Sequence, residues 1–215
     1  IRVTVALLLV GTLGFFLFEF DNTMSHLNVL EKLNCAFFQS TNTRTAGFAS
    51  VNIGAQYELT KILSILLMFI GACPGSTGGG IKITTFMVLA VTVMCTIRGK
   101  NEAVVLRHRF STPTVYKAFT VAILAFLLVF VDAGVISSLN PDIAYLDCLY
   151  EATSAFGTVG LSANVTPLLD PISKLILIFT MFIGRVGPLS FGLSILMRHK
   201  SKGDSIYPEG RMLIG

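Results

Sequence analysis

The chain has 215 residues, of which 53% are hydrophobic and only 13% charged, with a mean hydropathy of +0.75. Soluble domains carry about 25% charged residues, so this composition excludes one and points to the bilayer. The net charge of +4 would suit nucleic acid, but the basic residues cluster at 98–117 and 198–211, directly after apolar segments. The positive-inside rule therefore places both clusters in the cytoplasm, and no nucleic-acid partner is expected.

Residues 3–20 read as a first span of about the ~20 residues that a bilayer requires. An outer loop, 21–28, leads to residues 29–42. These carry Glu31, Lys32, Asn34 and Gln39 and are too polar and too short to span, so they read as a half-helix. Thr43, Arg44, Thr45, Ala46, Gly47 and Phe48 follow as non-helical backbone. Such backbone is tolerated at membrane depth only when buried in protein or lining a wet cavity. Residues 59–97 are apolar for about twice the length of one span but are interrupted by Cys73-Pro-Gly-Ser-Thr-Gly-Gly-Gly80. The expectation is a helix broken into two pieces around a loop at 74–80, followed by a cytoplasmic linker at 98–114.

The plan then repeats. A span is expected over 115–139. Asn140-Pro-Asp142 offers an N-cap and a first-turn proline for a second half-helix running to about Ala155. Phe156, Gly157, Thr158, Val159, Gly160 and Leu161 form the matching turn, 171–197 the last span, and 198–215 a cytoplasmic tail. Gly47 and Gly160 are 113 residues apart (160 − 47), and the Met-Phe-Ile-Gly runs starting at 68 and 181, Cys35/Cys148 and Lys61/Lys174 keep the same offset. One offset over so many residues marks two copies of one unit.

Stripping water from a cation costs tens of kcal/mol unless other oxygens replace the hydration shell, and successive backbone carbonyls aimed at one axis do so without charge. Gly47 and Gly160 suit such a strand, since glycine reaches backbone angles that other residues avoid. The carbonyls of Thr45, Ala46, Gly47, Thr158, Val159 and Gly160 are the candidate K⁺ ligands, with the hydroxyls of Thr45 and Thr158 at the inner end. An ordinary turn is the competing account of either copy alone, and the register between the copies argues against it. Nine of the twelve acids (Glu19, Asp21, Glu31, Glu58, Asp132, Asp142, Asp147, Glu151, Asp170) lie in or beside the outer segments. There they would concentrate cations at a pore mouth, although Asp147 and Glu151 could equally tether the second turn from behind.

Gly75, Ser76, Thr77, Gly78, Gly79, Gly80 and Lys82 resemble a phosphate-binding loop. Ile81 separates Gly80 from Lys82, however, and the flanks are membrane-apolar, so no nucleotide site is expected. Five consecutive weak helix formers at 76–80 exceed what a simple kink needs and suggest a mobile segment. Lys82 either pairs near this loop or ends the break, and Arg44 is expected to brace the first turn. Arg185, deep in the last span, is a functional candidate because an ionised side chain there needs water or a partner. The four cysteines and three histidines show no ligand spacing.

Thr43–Phe48, Phe69-Ile-Gly-Ala-Cys-Pro-Gly-Ser-Thr-Gly-Gly-Gly-Ile-Lys82, Glu151–Leu161 and Phe182-Ile-Gly-Arg-Val-Gly-Pro188 together resemble the Trk/Ktr/HKT superfamily of cation transporters, Ktr-type pore subunits most of all. The resemblance implies an all-α membrane protein, not an enzyme, with residues 1–97 and 115–197 as the third and fourth of four pore repeats. The upstream half of the same subunit would then supply the other two filter walls. It further implies K⁺ uptake at the cell membrane, possible Na⁺ dependence, and a homodimer of pore subunits carrying a cytosolic nucleotide-binding regulatory ring of RCK type. Gly75–Gly80 would be an intramembrane gate, with Arg185 beside it repelling K⁺. No covalently bound cofactor is implied. A Na⁺-selective relative is the alternative, and an intramembrane enzyme a remote one for which no nucleophile–base pair or metal triad is found.

Overall fold

A computed structural model of the chain describes residues 2–76, 78–99, 104–105 and 108–187. Seven helices account for most of them: α1 (Arg2–Phe18), α2 (Val29–Asn42), α3 (Glu58–Phe69), α4 (Ile83–Ile97), α5 (Thr112–Leu139), α6 (Tyr145–Gly157) and α7 (Pro171–Val186). Short 3-10 turns at Ile53–Ala55 and Thr166–Leu168 precede α3 and α7, and they keep the offset of 113 residues (166 − 53). The order of a long helix, a short helix, an irregular loop, a 3-10 turn and a helix thus occurs twice. α3 and α4 flank an irregular stretch.

Local chemistry sets the boundaries. Glu31 Oε2 accepts from the Asn28 amide at 2.9 Å to close the first turn of α2. Asp170 Oδ2 accepts from the Ile172 amide at 2.9 Å, with Pro171 at the first position of α7, where its missing N–H is not needed. One expected boundary was wrong. Asn140 does not start the second half-helix but ends α5, where its Nδ2 donates to the Ile136 carbonyl and to Ser173 Oγ, both at 2.9 Å. α6 begins later, at Tyr145, and its end runs through Phe156 and Gly157, so the second turn proper starts at Thr158. The linker also departs from a plain loop, since Val104–Val105 and His108–Arg109 pair as a small antiparallel hairpin, β1–β2.

α1 packs on α2 and α3, while α6 is enclosed by α3, α5 and α7. Gly11 allows the first of these contacts, because a Cβ there would lie 2.3 Å from Ser40 Oγ. Small residues of this kind let membrane helices approach closely. Met68 and Tyr150 pack with Val159 and Leu161 between the two halves. Outward faces are apolar, with Leu9 58%, Leu13 58% and Ile178 59% exposed, as a lipid solvent favours. Among the described residues α5 alone, at 28 residues, is long and apolar enough to cross a bilayer unaided. α1, at 17 residues, lies at the lower limit.

The acids do not all form the expected outer field. Glu19, Asp132 and Glu151 are 0%, 8% and 5% exposed, and Asp147 Oδ1 pairs with Lys61 Nζ at 2.7 Å, tying α6 to α3. Glu19 gathers five donors: Asn22 Nδ2, Thr23 N and Thr23 Oγ1 on one oxygen, and Tyr57 N and Thr60 Oγ1 on the other. It fastens the end of α1 to the start of α3. Glu19→Gln places an NH₂ among these donors and is expected to remove about 1–3 kcal/mol of stability. A melting temperature in detergent equal to that of the unchanged full-length protein would contradict this role.

Candidate functional site

The two turns meet. Gly47 (φ 77°) and Gly160 (φ 86°) both take left-handed backbone, as do Thr45 (φ 72°) and Thr158 (φ 51°). A Cβ on Gly47 would lie 2.6 Å from the Val159 carbonyl oxygen and 3.7 Å from Gly160 Cα, so the glycines also permit close approach of one strand to the other. α6 closes into its turn through Thr158 N to Ala155 O at 3.0 Å and Val159 N to Ser154 O at 2.9 Å. These bonds turn the amides back onto the helix, the usual device of a left-handed helix end. Among the described residues no hydrogen bond ends on the carbonyl oxygens of Thr45, Ala46, Gly47, Thr158, Val159 or Gly160. All six oxygens named from sequence therefore remain available.

Different side chains brace the two turns. Asn42, 1% exposed, donates through Nδ2 to the Phe48 carbonyl, closing the first turn on itself. Arg44 Nη1 donates to the Ile70 carbonyl at 3.0 Å, which links the turn to the end of α3. In the second copy Glu151 takes over. It accepts from Ser162 Oγ at 2.5 Å, Ala163 N at 3.1 Å and Thr166 Oγ1 at 2.7 Å, holding the strand that leaves the turn. Of the two readings of Glu151, the tether is the observed one.

The glycine-rich loop lies against both turns. Its outer part, Pro74, Gly75 and Ser76, is exposed, whereas Gly78, Gly79 and Gly80 are buried, and Thr77 lies outside the described residues. A Cβ on Gly78 would meet the Thr45 side chain at 2.9 Å, and one on Gly79 would meet the Phe156 carbonyl and the Thr158 side chain at 2.9 Å. Gly79 N donates to Thr158 Oγ1 at 2.8 Å. Lys82 caps the start of α4 and its Nζ donates to the Gly78 carbonyl, so it pairs with the loop as well as ending the break. The loop re-enters through an Ile70–Ile81 bridge, with Ile81 N on Phe69 O at 3.2 Å. The glycines at 78 and 79 are therefore demanded by space beneath the threonines and not by mobility, which sequence alone does not distinguish.

Arg185 occupies the last turn of α7, is exposed, and has no hydrogen bond or ion pair among the described residues. Its neighbour Gly184 seats α7 on α6, since a Cβ there would lie 2.0 Å from the Phe156 carbonyl oxygen. Residues 188–215, and with them the end of the last span and the tail, lie outside the described residues. Sequence reasoning missed Asn42 and Gly184. The Met-Phe-Ile-Gly run pointed at Gly184 without showing what it touches.

Residues 2–204 match the TrkH family model, described as cation transport protein. The chain belongs to that family: it is an integral-membrane member of a transporter family, not an enzyme. Ktr system potassium uptake protein B of Bacillus subtilis is 38% identical over 99% of this chain and 47% of its own length. The protein of that name from Vibrio alginolyticus is 36% identical, with 99% and 46% covered. Potassium/sodium uptake protein NtpJ of Enterococcus hirae is 34% identical, with 98% and 48% covered. The chain thus spans about half the length of the curated relatives it matches. The potassium transporter TrkH from Vibrio parahaemolyticus superposes with a TM-score of 0.71 at 21% identity, over 91% of this chain and 43% of that one, a likeness of fold.

Gly75 and Gly79 separate strain from space. Gly75→Ala meets nothing within 4 Å but keeps a φ of 81°, and so should cost about 1–2 kcal/mol. Gly79→Ala carries no such backbone strain but overpacks against Thr158 and Phe156, which typically costs ~1–3 kcal/mol, and should also lower the melting temperature. A melting temperature of Gly79→Ala equal to that of the unchanged protein would contradict the packing described.

Proposed function

We propose that this chain forms two tandem pore repeats, 1–97 and 115–197, of a multi-pass K⁺ transporter of the cell membrane, with 98–114 and 198–215 on the cytoplasmic side. One observation carries the reading: six carbonyls on two turns, related by one sequence offset and touching at their glycines, accept no hydrogen bond among the described residues. Unpaired carbonyls at membrane depth cost free energy unless a cation or water meets them. Two such walls, completed by two from the upstream half of the subunit, would surround a dehydrated K⁺.

In this reading the loop around Gly75–Gly80 is the gate, since its buried glycines press on the threonines at the inner end of both turns. Arg185 acts as a positive barrier in the path below. A regulatory ring of RCK type on a homodimer of pore subunits would move the loop through α4 and the basic inner segments. Such a partner can bias the gate only by binding open and closed forms with different affinity. Transport that is Na⁺-dependent, or Na⁺-selective, is the second reading, supported by the potassium/sodium name of the Enterococcus hirae relative.

The test is selectivity in the full-length transporter. Gly47→Ser drives a Cβ into the Val159 carbonyl and should abolish K⁺ uptake. Gly160→Ser meets only Gly47 Cα, at 3.7 Å, but keeps a left-handed φ of 86°, and should weaken K⁺ uptake and K⁺/Na⁺ discrimination without abolishing flux. Unaltered uptake and selectivity in both, at equal expression, would remove the filter assignment. Arg185→Gln deletes a charge where screening is weak and should raise K⁺ flux at fixed membrane potential. A fall in flux from normally folded protein would make Arg185 structural instead.

A further inference from the structure

Among the described residues three carboxylates are buried, and they are not equally provided for. The two oxygens of Glu19 share five donors, and those of Glu151 share three. Asp132, 8% exposed on the spanning helix α5, has one partner among the described residues: Thr180 Oγ1 of α7, 2.5 Å from its Oδ2. That hydroxyl also lies 2.9 Å from the Ile176 carbonyl oxygen. A hydroxyl owns one proton, and neither a carboxylate nor a carbonyl supplies another. Two acceptor contacts therefore share a single hydrogen, while Oδ1 has no donor among the described residues.

We infer that Asp132 is a proton-binding site inside the membrane: its Oδ2–H donates to Thr180 Oγ1, and Thr180 donates to the Ile176 carbonyl. One added proton gives both contacts a hydrogen and removes a charge from a place with no cation to meet it. The surroundings agree. The helices packed on α5 are α4, α6 and α7. On α4, the N-cap residue Lys82 is engaged with Gly78. On α6, Tyr145, Cys148 and Tyr150 make no hydrogen bond or ion pair with Asp132, Asp147 is paired with Lys61, and Glu151 is held by Ser162, Ala163 and Thr166. On α7, Lys174 Nζ donates to Pro167 O, and Arg185 makes no ion pair. Nothing among these supplies a counter-charge, and an acid in a membrane helix without one is a functional candidate in its own right.

The site has a consequence for flux. Thr180 stands one turn before Gly184, the residue that seats α7 on the Phe156 carbonyl beside the second turn. Loss of the proton leaves a charged, almost donorless carboxylate between α5 and α7 and loosens that seat, so alkaline conditions should reduce conduction.

The experiment uses the full-length transporter in liposomes. Infrared difference spectra between the unchanged protein and Asp132→Asn, with aspartate labelled by ¹³C, read the protonation state directly. A carboxylic-acid carbonyl band present at neutral pH and lost in Asp132→Asn supports the site, and a carboxylate band in its place overturns it. Asp132→Asn, which mimics the protonated form, should also purify in normal amount and lose the decline of K⁺ flux at alkaline pH, whereas Asp132→Ala should lower the folded yield. Identical alkaline responses in the unchanged protein and Asp132→Asn would overturn the link to flux. The infrared result does not depend on which ion the pore carries, so it can fail while the filter reading stands.

Discussion

Two short turns in this chain hold together six backbone carbonyls that accept no hydrogen bond among the described residues, and at membrane depth each would need water or a cation to meet it. The rest of the fold answers to that constraint. Short helices α2 and α6 lead into these turns, and glycines at 47 and 160 allow the two strands to approach without side chains between them. The surrounding helices need only small residues at the contacts, as Gly11 and Gly184 show.

The duplicated units share a backbone path but not a bracing scheme. The first turn is closed by Asn42 and fastened by Arg44, and the positions 113 residues further on are Ala155 and Gly157. The second relies on Glu151, whose counterpart in the first unit is Phe38. Backbone geometry at the turn is therefore held fixed, while the polar groups that support it have been redistributed to fit different neighbours. The Lys61–Asp147 pair then joins the units across α3 and α6.

Much of the fold was legible because periodicity and offset are properties of sequence. The half-helix at 29–42, the break after Phe69 and both glycine turns follow from polarity, length and the repeat. What was not legible depends on who lies next to whom. Asn140 carries equal N-cap and C-cap chemistry, and only the position of Ser173 decides between them. Glu19 and Asp132 were read as part of an outer acidic field because they lie in or beside the segments placed outside, and their burial arises from tertiary packing. The glycines at 78 and 79 signalled freedom in sequence, whereas in the structure they signal crowding.

The bridge between Ile70 and Ile81 makes the stretch between them a side excursion that leaves and rejoins the helical path at one neck. Because α3 and α4 are joined there and not through the loop tip, residues around Pro74–Ser76 can be added or lost without resetting the distance between the two helix pieces. Doubling such a loop costs only about 0.6 kcal/mol in closure entropy. The size of this loop can therefore change while the helix frame stays the same, so that whatever the loop does can be tuned independently of the two turns beside it.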